Sequence, residues 1–187
     1  MRIGAYQFAV SGNIYDNYNE IERAIYLAKH KGVQLLIFPE CSLTGYPSRD
    51  ILNSLSVDFN IVRSMCDKLQ AIADKNDISF IVGTIFKEKE IYNRALLFQP
   101  NKQIKFYDKC ALWGWDNDNF TKGDKDVISV NATSPFQTAP TMVFGKSGQC
   151  IKKCVRNKTE LLIYDFEKTI NDFGENGSIS ISDSLIK

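Results

Sequence analysis

Val33, Leu35, Leu36, Ile37 and Phe38 form an apolar run of strand length, and Pro39 followed by Glu40 ends it abruptly. A strand covered on both faces reads this way, because neither face then calls for polar residues. Proline has no N–H to give a neighbouring strand, so Pro39 marks the end of the ladder and Glu40 falls just beyond the strand's carboxyl end. In open α/β sheets that edge is where sites are built. The Thr-Gly-Tyr-Pro that follows carries Gly45 and Pro47, turn residues that make the next segment a shaped loop.

The flanking sequence alternates strand and helix signals over a length suited to one α/β domain, 187 residues. A strand is expected over Arg2–Val10, broken by Ser11, Gly12 and Asn13. Ile21, Ala24, Ile25 and Ala28 recur at helical spacing within Asp16–His30, and Gly32 sits where a helix end favours a left-handed residue. A second amphipathic helix is expected over Asp58–Asp74 with Asp58 as its cap, then a buried strand over Ile78–Phe86. Glu90, Tyr92 and Asn93 read as a turn, and Arg94–Phe98 and Gln103–Tyr107 as two strands joined at Pro100-Asn101. This order predicts a layered sheet with helices on its faces.

Charge and composition exclude several function classes. With 23 basic and 22 acidic residues the net charge is +1, so nothing marks a nucleic-acid or anionic-membrane partner. The start lacks a signal-peptide pattern and no apolar run approaches the roughly 20 residues of a bilayer span, so a cytoplasmic protein is expected. Five cysteines, an odd number, then read as reduced thiols. The single histidine, His30, offers no metal cluster, neither a G-x-G-x-x-G nor a P-loop is present, and no metal or cofactor is expected.

Lys109 directly follows the Gln103–Tyr107 strand and so can also project from a strand end. Together, Gln7-Phe-Ala-Val, Ile37-Phe-Pro-Glu-Cys-Ser-Leu-Thr-Gly-Tyr-Pro, Ile81-Val-Gly-Thr-Ile-Phe, Tyr92-Asn-Arg-Ala, Tyr107-Asp-Lys-Cys-Ala-Leu and Phe120-Thr-Lys-Gly-Asp resemble the amino-terminal half of the carbon-nitrogen hydrolase family, the nitrilase superfamily. The Thr44–Leu52 stretch is most similar to its amidase and glutamine-amidotransferase members. The resemblance implies a four-layer α-β-β-α sandwich and a Glu-Lys-Cys triad that hydrolyses a small amide or carbamoyl amine, with Glu40 as base and Lys109 as the lysine. It also implies a homo-oligomer. Tyr46, Asn93 and Trp113 are expected to line the pocket. The chemistry suits the residues: a cysteine nucleophile needs a base for its proton, and a fixed cation stabilises the oxyanion of the tetrahedral intermediate.

The family's nucleophile lies in a block resembling G-x-x-G-x-x-I-C-x-D-x-x-F-P-E, and nothing in this sequence reproduces it. In the nearest likeness, Phe144–Cys154, the cysteine position holds Lys152. Residues 127–167 resemble the family's late strands instead, so the chain reads as one domain, with an amino-terminal half (1–124), late strands (127–167) and a tail (168–187). An internal deletion near Lys125-Asp126 then makes the sandwich incomplete, lacking middle strands and helices. Cys41 and Cys110 neighbour Glu40 and Lys109, but on an extended chain neighbours point to opposite faces. Cys66 reads as a packing residue, and Cys150 and Cys154 bracket a lysine-bearing hairpin. Two functions follow: a carbon-nitrogen hydrolase whose nucleophile is lost or replaced, or a non-catalytic relative serving as a binding or oligomerisation module. The tail, with its Ile-Ser alternation at 179–182, reads as loose or as a strand lent to a partner's edge. Loss of middle strands exposes edges and apolar faces. Urea unfolding is therefore expected to shift with protein concentration, and a concentration-independent transition with a slope normal for this length contradicts that expectation.

Overall fold

The computed structural model describes residues 1–109, 112, 114–123, 141–144, 150–156, 158–165 and 178–180. Its main element is a seven-stranded sheet in the order β5-β4-β3-β2-β1-β8-β9. The strands are β1 (Arg2–Gln7), β2 (Leu35–Ile37), β3 (Ser79–Lys87), β4 (Ile91–Phe98), β5 (Lys105–Asp108), β8 (Glu160–Asp165) and β9 (Ser178–Ser180). A separate two-stranded ribbon pairs β6 (Met142–Phe144) with β7 (Cys150–Lys153). Strands β1, β2 and β3 are parallel and are connected through α1 (Ile14–His30) and α2 (Phe59–Asn76). The remainder of the sheet is antiparallel.

Both crossovers step in the same direction along the sheet, and right-handed connections of that kind place both helices on one face. The expected helices on the sheet's faces are thus helices on one face among the described residues. Ile21, Ala24, Ile25 and Ala28 of α1 and Val62, Met65, Leu69 and Ala73 of α2 bury against Tyr6, Leu36, Phe80, Val82, Leu96 and Phe98 in one apolar cluster. Phe80 and Phe98 stack at 5.0 Å across the β3–β4 pair.

Local sequence sets the helix ends. The Asn13 side chain accepts from the Tyr15 and Asp16 N–H groups, so a residue read as a strand breaker is the cap of α1, which starts two residues earlier than expected. Gly32 takes a φ of 71° just past that helix, as its position implied. Asp58 caps α2 as expected; the helix runs to Asn76, two residues beyond the expected span, and Asp77 ends it in the left-handed region.

Three expectations are corrected. Strand β1 ends at Gln7, not Val10: its last ladder pair is Gln7 with Glu160, and the buried Gln7 side chain there donates to the Val155 and Lys158 carbonyls and accepts from the Thr141 N–H. Tyr92 and Asn93 belong to β4, not to a turn: pairing with Phe86 and Ile85 along β3 overrides the low strand preference of asparagine. Ser178–Ser180 pairs antiparallel with β8 of its own chain rather than with a partner's edge, and the remainder of the alternating segment lies outside the described residues. The late strands read from the sequence are present as β6, β7 and β8, with β8 ending on Asp165 and lying antiparallel to β1. The proposed junction at Lys125-Asp126 lies outside the described residues. No helix among the described residues is long and apolar enough to cross a membrane.

Phe80 is fully buried at the centre of the cluster. Phe80→Ala is expected to cost about 3–5 kcal/mol, read as a lowered urea midpoint at unchanged slope.

Candidate active site

The site forms where three chain segments leave the sheet at neighbouring points. Beyond β2 the Phe38 N–H still donates to the Ile81 carbonyl, after which Pro39 ends the ladder. The chain then turns: Cys41 has φ 50°, the Ser42 N–H donates to the Pro39 carbonyl, and the Gly45 N–H, at φ 81°, donates to Cys41. The turn lies directly on β3. Leu43 N–H and Ser42 Oγ–H both donate to the Gly83 carbonyl, and the Ile85 N–H donates to Thr44 Oγ1. A side chain at Gly83 would collide with the Pro39 carbonyl, the Cys41 nitrogen and Glu40 Cα, so only glycine lets β3 approach the residue that carries the carboxylate.

From the other side, β4 and β5 deliver Asn93 and Lys109. The Lys109 N–H donates to the Asn93 carbonyl at 2.8 Å, which extends the ladder one residue past β5. Lys109 Nζ donates to Glu40 Oε1 at 2.7 Å and to Asp116 Oδ2 at 2.8 Å. Asn93 Nδ2 donates to the same Glu40 oxygen at 2.6 Å, and the Tyr46 hydroxyl donates to Asp116 Oδ1 at 2.6 Å. Asp116, at the start of the short helix α3 (Asp116–Asn119), is 1% exposed, against 31% for the Lys109 and 37% for the Glu40 side chain. Burial works against the lysine's charge, but hydrogen bonds and attraction from Asp116 and Glu40 outweigh it and raise its pKa. Burial, then the bond to Asp116, pushes the Tyr46 phenol up, so it stays a donor.

The structure thus brings Glu40, Lys109, Tyr46 and Asn93 together. Trp113 and Cys110 lie outside the described residues. Asp116 was missed: in an Asp/Asn-rich loop nothing in the residue type separates it from exposed Asp118, and a four-residue helix leaves no periodicity to find.

Among the described residues no thiol is hydrogen-bonded to Glu40. Cys41 was set aside because neighbours on an extended chain diverge; the segment is in fact a turn, and the thiol is fully buried and donates to Asn93 Oδ1 at 3.7 Å. Burial and then the charges of Glu40 and Asp116 push it well up, so it remains a thiol. Burial pushes Cys66 and Cys154 up to about 12. Cys150 is exposed on the ribbon. Among the described residues no group of histidine, cysteine and acidic side chains could hold a metal.

Residues 2–143 match the carbon-nitrogen hydrolase family model, and the chain belongs to that family. It is 30% identical over 115 residues to the glutamine-dependent NAD(+) synthetase of Synechocystis sp., covering 56% of this chain and 20% of that protein. The corresponding enzyme of Thermotoga maritima is 28% identical over 125 residues, covering 64% and 21%. The chain therefore spans about a fifth of the length of these relatives. The fold is of the nitrilase type. The NitN amidase of Nesterenkonia sp. AN1 superposes with a TM-score of 0.74 at 18% identity, covering 89% of this chain and 92% of that one. A cysteine-to-alanine mutant of the same amidase in complex with butyramide superposes at 0.60 with 25% identity, covering 71% and 53%.

The ion pairing dictates a pH dependence. A raised lysine pKa stabilises the fold fully below the ordinary lysine value of about 10.4, and the gain is lost as pH rises through the higher folded value. Tyr46 acts with the same sign. The urea midpoint is expected to fall above about pH 10, and to fall less steeply in Asp116→Asn; equal slopes contradict the assignment.

Proposed function

We propose that this chain binds small linear amides at the Glu40–Lys109 site and does not hydrolyse them through a cysteine of its own. The observation that carries this reading is a base–lysine pair held in place by Asn93 and Asp116, with the buried described thiols locked in their protonated form. An amide offers one carbonyl acceptor and N–H donors. Lys109 has a third ammonium proton for the carbonyl, and Glu40 Oε2, which takes no hydrogen bond among the described residues, accepts an amide N–H.

Two comparisons support it. The relative crystallised with butyramide carries alanine in place of a cysteine, so in that amidase the complex does not require the thiol. The alignments also suit an internal deletion: extending from 71% to 89% of this chain carries the match from 53% to 92% of the amidase, so the last part of this chain is matched across a much larger share of that protein. On this reading the chain is a truncated family member, cytoplasmic, self-associating through its incomplete sandwich, and its partner is a small amide.

Calorimetric titration with butyramide tests the proposal. The parent chain is expected to bind, Glu40→Gln to bind about tenfold or more weakly through loss of a charged hydrogen bond, and no ammonia to be released. Absence of binding to the parent overturns the reading. Steady ammonia release that stops on thiol alkylation replaces it with hydrolysis.

A further inference from the structure

The β4–β5 pair carries a second charged cluster on its opposite face. Arg94 is 3% exposed, and its guanidinium donates to both carboxylate oxygens of Asp108, Nε to Oδ1 at 2.6 Å and Nη2 to Oδ2 at 2.8 Å. Nη1 donates to Glu88 at 2.6 Å. Aromatic rings enclose the cation, with Phe106 at 3.8 Å, Phe86 at 4.9 Å and Tyr92 at 5.4 Å from its central carbon. Arg94 and Asp108 are paired in register.

The neighbours in sequence give this cluster its significance. Asn93 precedes Arg94 and Lys109 follows Asp108, so on pleated strands the Asn93 and Lys109 side chains leave the face opposite the clamp. A slip of β5 by one residue would turn Lys109 away from Glu40, while Asn93 stays held on β4 by its pairing with Ile85 of β3. Strand β5 is the outermost strand of the sheet among the described residues, and its ladder with β4 is only four pairs long. A forked, fully engaged guanidinium fixes geometry in a way a point charge does not.

We infer that Arg94 is a positioning residue, which through Asp108 sets the register of β5 that presents Lys109 to Glu40. The inference rests on the Glu40–Lys109 pair being the binding site. Arg94 touches neither the pair nor any bound amide; its effect passes through the backbone of Asp108 and Lys109. Burial opposes the charge of Arg94, and its bonds to Asp108 and Glu88 more than restore it, so the clamp stays charged.

The test reads Lys109 itself. Lysine amines are ¹³C-methylated, the Lys109 resonance is assigned with Lys109→Arg, and its titration is followed in the parent chain, Arg94→Met, Arg94→Lys and Asp108→Asn. A positioning role predicts that Arg94→Met lowers the Lys109 midpoint by about one unit, equivalent to losing one charged hydrogen bond, in a chain that still unfolds cooperatively. Arg94→Lys, which keeps the charge but not the fork, is expected to recover only part of it. Lowered stability with the Lys109 titration unchanged in every folded variant makes the clamp merely structural and overturns the inference. Should Arg94→Met not fold, Asp108→Asn decides by the same criterion. Butyramide titration of the same proteins separates the two claims: no binding even to the parent chain defeats the amide reading, while the Lys109 midpoint still decides the positioning role.

Discussion

One ammonium group holds three separate pieces of this chain together. Lys109 at the end of the β4–β5 hairpin meets Glu40 from the turn after β2 and Asp116 from α3, at 2.7 and 2.8 Å. Two carboxylates on one cation carry excess negative charge, and with Asp116 only 1% exposed that excess needs further donors. Tyr46 supplies one to Asp116 and Asn93 one to Glu40. The outcome is a carboxylate that is fixed and partly open to solvent beside a lysine whose charge is secured. That is the arrangement an amide-binding site needs, because its donors and acceptors are set before the ligand arrives.

The backbone makes the meeting possible by close approach. Gly83 lets the Pro39–Cys41 turn lie against β3, and Cys41 accepts a left-handed conformation of the kind that costs about 1–2 kcal/mol in a residue with a Cβ. The same turn commits the Cys41 thiol to Asn93, so the cysteine nearest the base by sequence has a structural part as donor to the residue that also holds Glu40. A thiol held protonated by burial and two carboxylates is a poor nucleophile.

Much of the fold was legible because its signals are local. Helix periodicity, the Asp58 cap, Gly32 and the stop at Pro39 each depend on residues within a few positions of one another. What escaped was decided by partners distant in sequence. Asn93 becomes a strand residue through β3, and the buried Gln7 side chain at the end of β1 bonds segments 134 to 151 residues away. In the site, Glu40 and Lys109 could be found because each ends a strand within a motif that resembles the carbon-nitrogen hydrolase family, whereas Asp116 stands out only through its burial and its bonds to Lys109 and Tyr46.

The measurement that bears most directly on the proposal that the Glu40–Lys109 pair works without a cysteine of its own is the iodoacetamide alkylation rate of all five cysteines at neutral pH, mapped by peptide mass, in the parent chain and in Glu40→Gln. Slow reaction at buried Cys41, Cys66 and Cys154, reaction at exposed Cys150 at the rate of an ordinary thiol, and no rate altered by the substitution is the predicted pattern. A cysteine that reacts far faster than the others and slows in Glu40→Gln would show that the base has a nucleophile after all, and that this chain is a hydrolase.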